Sequence, residues 1–77
     1  MLSAGRGDLS SAERHFRVAI ASDESHAEAR NGLGIVLART GHLGEAVAAV
    51  RHAVELDPDH AAAQENLRHL ERAPPAR

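Results

Sequence analysis

Residues 27–60 read AEARNGLGIVLARTGHLGEAVAAVRHAVELDPDH, and the periodicity of this stretch decides the fold. Leu33, Val36 and Leu37 recur at spacings that set them on one face of a helix. Leu43, Ala46, Val47, Val50, Ala53 and Val54 form the i, i+3, i+4, i+7 stripe of a second helix. Between them stands Arg39-Thr40-Gly41-His42. Gly41 admits the left-handed backbone that ends a helix. Asp57-Pro58 closes the second helix, because proline cannot continue one. The stretch is therefore a helix–turn–helix pair with an apolar face on each helix. One pair cannot bury both faces, so flanking sequence must supply neighbours.

A shift of 34 residues supplies them. It pairs Gly7 with Gly41, Leu9 with Leu43, Ala12 with Ala46, Arg17 with Arg51, Asp23 with Asp57, His26 with His60 and Leu33 with Leu67. Phe16/Val50, Ile20/Val54 and Val36/Leu70 keep their apolar character. A fixed period of this length marks a repeat architecture. The central unit resembles a tetratricopeptide repeat, whose signature runs W-x2-L-G-x2-Y, A-x3-F, P. Here it stands as Arg30-x2-Leu33-Gly34-x2-Leu37, then Ala46-x3-Val50, then Pro58. Arg30 replaces the Trp, and aliphatic residues replace the Tyr and Phe. Gly34, Ala46 and Ala53 are expected at close helix crossings, where a larger side chain would push the backbones apart.

The fold expected is all-α, an antiparallel helical repeat with helices near 8–22, 26–40, 42–56 and 60–72 and no sheet. Residues 7–26 form the second half of a first repeat, 27–60 a complete repeat and 61–73 a capping helix, with 74–77 a disordered tail. Met1 and Leu2 align with Ile35 and Val36, so the numbering opens inside a repeat. The helix expected before it comes from a longer chain or from another molecule.

Helix starts are read from capping chemistry. Gly7 is expected in a turn like that at Gly41, with Asp8 capping the first helix, or with Ser10 and Glu13 as a capping box. That turn accounts for Arg6-Gly7-Asp8 without an integrin-binding role. Ser25 with Glu28 is expected to cap the second helix, and Asp59 the last. On the last helix Ala63, Leu67 and Leu70 face inward. Gln64, Glu65, Arg68, His69, Glu71 and Arg72 leave a polar face, as the end of a repeat array requires.

Composition narrows the function. The chain has 77 residues, one Phe, no Trp, Tyr or Cys, and a formal net charge of −2. A core of Ala, Val, Leu and Ile in so short a chain is thin. All nine basic residues are arginine, which with the abundant Ala resembles a GC-rich bacterial coding bias. The net charge lacks the basic stripe that nucleic acid needs, and one aromatic makes no stacking platform. No stretch approaches a membrane span or a signal peptide, which leaves the cytoplasm as the default compartment.

Six histidines raise the question of a metal, but each lies eight or more residues from the next. Zinc sites on helices use His at i and i+4. His26 and His60 hold equivalent junctions, roughly 10 Å apart by helix-packing distance, too far to share one ion. No cofactor is expected. No nucleophile with its base, converging carboxylates or phosphate loop is present either, since Gly32-Leu33-Gly34 lies inside a helix, so the chain is not expected to be an enzyme.

The resemblance implies a non-catalytic module that binds a protein or peptide on the concave face formed by the first helices of successive repeats. Helical geometry puts Glu28, Asn31, Ile35, Ala38 and Arg39 on that face, with Glu65, His69 and Arg72 from the last helix. The family's carboxylate clamp is not carried over, because the chain has no lysine. Two other functions fit the sequence. One is self-assembly into a homo-oligomer through Leu9, Phe16 and Ile20. The other is service as the accessory array of a larger enzyme, such as a glycosyl- or sulfotransferase.

Overall fold

A computed structural model describes residues 6–72. Four helices follow one another: α1 (Arg6–Ser22), α2 (Ala27–Arg39), α3 (Leu43–Leu56) and α4 (Ala61–Arg72). The described residues contain no strand. Short connections make neighbours antiparallel, so α2 and α4 run in the same direction. The α2 helix is the hub, packing against α1, α3 and α4. It buries Ala29, Asn31, Leu33, Gly34, Val36 and Leu37, so its apolar surface extends around more than one face.

Leu33, Leu37 and Ala46 form one core cluster, packed by Phe16, Ile20, Ala38, Ala49 and Leu70. Val50, Ala53 and Ala63 form the other, with Ala27, Val54, Leu67 and Leu70 around them. The largest side chain buried completely is Val50, so the core is as thin as the composition implies. Close approach replaces bulk. A Cβ at Gly34 would overlap Val50 Cγ2 and lie 3.1 Å from the Ala46 carbonyl oxygen, so α2 and α3 cross at the expected small residues. A Cβ at Gly32 would lie 2.5 Å from Phe16 Cζ, because the Phe16 ring rests on that glycine. Arg30, where the signature has Trp, instead turns back, and its Nε donates to the Glu24 carbonyl at 2.9 Å. Beside it an open cleft of about 230 Å³ remains between Arg17, Ile20, Ala21, Arg30 and Leu33.

The turn at Gly41 has the left-handed backbone expected of it, with φ +88°. The His42 N–H donates to the Leu37 carbonyl at 2.8 Å and the Gly41 N–H to that of Ala38 at 3.2 Å. These two bonds satisfy the end of α2 in the Schellman pattern.

The other helix boundaries correct the sequence reading. Gly7 and Asp8 lie within α1, and so do Ser10 and Glu13. Neither the turn nor the caps expected there form; Asp8 sits in the first helical turn, where a negative charge suits the helix dipole. Ser25 does not cap α2. Its N–H and its hydroxyl donate to Asp23 Oδ1 at 3.1 and 2.8 Å, and these bonds hold the Asp23 carboxyl below its ordinary range. The cap is His26, whose Nδ1 accepts the Ala29 N–H at 3.2 Å. The same arrangement recurs 34 residues on. Asp59 donates its N–H to Asp57 Oδ1 at 3.2 Å, while His60 Nδ1 accepts the Ala63 N–H at 3.1 Å and caps α4. In each junction the aspartate takes up the N–H of the residue before the histidine, and the imidazole is left to serve the helix. The expectations for Met1–Gly5 and for the 74–77 tail lie outside the described residues.

Candidate functional site

The parallel pair α2 and α4 encloses a groove of about 330 Å³, lined by Ile35, Ala38 and Arg39 from α2 and by Asn66, His69 and Leu70 from α4. Two contacts fix the spacing of the pair. At the N-terminal end His60 Nε2 lies 2.9 Å from Glu28 Oε1. Because His60 Nδ1 accepts a bond from α4, Nε2 is the nitrogen that carries a proton and donates to Glu28. One ring therefore caps α4 and ties it to α2. Midway along, Asn66 Nδ2 donates to Asn31 Oδ1 at 3.1 Å.

The groove is apolar on its floor and cationic at one end. Ile35 is 38% exposed, one of three large aliphatics, with Val18 and Leu56, that the described residues leave open to solvent. Arg39 is exposed and closes the last turn of α2, and His69 is exposed in the last turn of α4. Cations are favoured at helix C-termini by the backbone dipole. Since α2 and α4 run in the same direction, Arg39 and His69 stand at the same end of the groove. None of its lining residues is a carboxylate.

Of the residues expected on the concave face, Ile35, Ala38, Arg39 and His69 line this groove. Asn31 does not face solvent; it is only 6% exposed, covered by α4 and held by Asn66. Glu28 is engaged by His60, and Glu65 and Arg72 are exposed away from the groove lining. Asn66 and Leu70 line it although the sequence reading did not select them. That reading copied the α2 face onto α4 by the 34-residue shift. Two helices related by translation cannot meet through the same face: one side of α2 meets the opposite side of α4. The signal available was Leu70, already recognised as inward-facing, and its neighbour one turn earlier.

The residues singled out for self-association are placed otherwise. Phe16 and Ile20 pack against the α2 core, and Leu9 is half-buried. The large apolar side chain that α1 leaves exposed is Val18, at 61%. Among the described residues no group of three or more His, Asp or Glu is placed to hold a metal, and no helix is long and apolar enough to cross a membrane.

The fold is an all-α helical repeat with a groove between two equivalent helices. The profile of the tetratricopeptide repeat family matches residues 4–61, and the chain belongs to that family. Tetratricopeptide repeat protein 8 of Homo sapiens is 37% identical to it over 57 residues, which cover 74% of this chain and 10% of the human protein. The chain thus corresponds to about a tenth of that relative's length.

Proposed function

We propose that this chain is a non-catalytic interaction module that holds a segment of a partner protein in the α2–α4 groove. Repeats of this family generally mediate protein–protein interaction, which is the class of function that membership supports. The observation that carries the finer reading is the groove itself: a large aliphatic left exposed between two helices whose spacing is fixed by His60–Glu28 and Asn66–Asn31. A preformed site of this kind loses little ordering entropy on binding. On this reading residues 7–26, 27–60 and 61–73 are a half repeat, a full repeat and a capping helix. The cytoplasm is our reading of the compartment, from the sequence alone.

Partner capture by wild type and by Ile35→Glu/Arg39→Glu tests the proposal. Both residues sit at the surface, so helicity by circular dichroism is expected to be unchanged while capture is lost. Asn31 is left intact in this experiment, because removing it would strip Asn66 of its partner and weaken the fold. Unchanged capture by the double variant places the site elsewhere on the chain.

A further inference from the structure

Chemistry at the Arg39 end of the groove restricts what it holds. Arg17 pairs with Glu13 at 3.0 Å, Arg51 with Glu71 at 2.9 Å, and Arg30 donates to the Glu24 carbonyl. Arg14, Arg39, Arg68 and Arg72 make no such bond among the described residues, and of these Arg39 is the one that lines the groove, with Ile35, Ala38, His69 and Leu70. An arginine beside an exposed aliphatic floor, in a groove without a lining carboxylate, is complementary to an aliphatic side chain followed by an acidic one. Resting on the groove reading above, we infer that the partner segment is a linear, internal stretch with an aliphatic residue next to an acidic side chain. The aliphatic group covers Ile35 and Leu70, and the carboxylate is held by Arg39 at the end of the groove where His69 also stands. Arginine suits this task because its planar fork meets a carboxylate with two parallel bonds.

The carboxylate is assigned to a side chain rather than a chain terminus, and comparison of amidated with free-acid peptide tests that assignment. The chain as a whole is −2, which opposes an acidic segment except where the local charge is reversed, as at Arg39. The contact is expected to weaken with salt, since both partners are near the surface.

The test uses the amidated peptide Gly-Ser-Glu-Leu-Asp-Glu-Ser-Gly, labelled at its N-terminus and titrated with the full chain by fluorescence anisotropy. Companion peptides carry Lys for each acid or Ser for the Leu. With wild type the acidic peptide is expected to bind best, and loss of its Leu to weaken binding at least about tenfold. Arg39→Gln is expected to weaken the acidic peptide by roughly threefold to tenfold. Arg39→Glu is expected to reverse the order, so that the lysine peptide binds better than the acidic one. Circular dichroism of each variant establishes that the fold is kept. If wild type binds the charged peptides equally and Ile35→Glu abolishes both, the groove stands and the acidic preference is overturned. If binding ignores Ile35→Glu, the groove reading itself fails. A free-acid peptide that binds far more tightly than its amide overturns the assignment to an internal side chain, and no binding at high micromolar concentration overturns the inference outright.

Discussion

Gly34→Ala is expected to lower the thermal midpoint by roughly 5–15 °C, although alanine is the better helix former. The added Cβ would overlap Val50 Cγ2 and press on the backbone carbonyl of Ala46. Val50 is fully buried and stiff at χ1, and a backbone oxygen can move only if α3 moves with it. Overpacking costs about 1–3 kcal/mol, and a clash with a buried Val50 and with backbone belongs in the upper part of that range, above the about 1 kcal/mol gained in propensity. Val50→Ala alone removes the obstruction but opens a void, and is expected to cost on the order of 2 kcal/mol. In the double variant the new methyl occupies part of that void. Its destabilisation is therefore expected to be smaller than the sum of the single effects by about 1 kcal/mol or more. Thermal melts of the four proteins measure this coupling. Strict additivity would mean that Gly34 and Val50 do not meet.

Phe16→Ala has the largest expected effect on α1. The ring fills the space that Gly32 leaves and joins the cluster of Leu33, Leu37 and Ala46. Truncating a buried Phe costs about 3–5 kcal/mol, and Phe16, being only partly buried, belongs near the lower end. That is a large share of the stability of a domain this small. Because α1 packs only against α2 among the described helices, the loss is expected to be local first. Amide exchange in α1 should accelerate at least about a hundredfold, the factor that 3 kcal/mol implies, while α3 retains its protection until global unfolding. Equal acceleration in α1 and α3 would show that the domain opens as one unit, and unchanged exchange that the ring does not anchor the helix.

These two glycines illustrate how far the sequence is legible. Positions at which a 34-residue period and a helical stripe coincide, such as Gly34, Ala46 and Ala53, can be assigned to close crossings because geometry leaves a large side chain no room. Gly32 also falls at a packing position, but nothing in the pattern says that Phe16 is its partner. The caps were less legible. Ser25-x-x-Glu28 has the form of a capping box, and Asp59 is a strong cap residue by preference, yet a histidine caps the helix in both junctions. Preference ranks residues one at a time, whereas Asp23 and Asp57 engage the N–H groups of Ser25 and Asp59, and His60 draws Glu28 across to α4. Half of the predicted concave residues line the groove, because helical periodicity defines a face correctly. Asn31 and Asn66 were misjudged because only the packed pair reveals which side of that face the next helix covers.

The most direct test of the central claim, that the α2–α4 groove is the binding surface, is an amide chemical-shift titration of the labelled chain with the amidated Glu-Leu-Asp-Glu peptide. Shifts are expected to concentrate at Ile35, Ala38, Arg39, Asn66, His69 and Leu70, with α1 and the outer side of α3 unaffected. Shifts centred on α1, around Val18, with the groove amides unmoved, would contradict it.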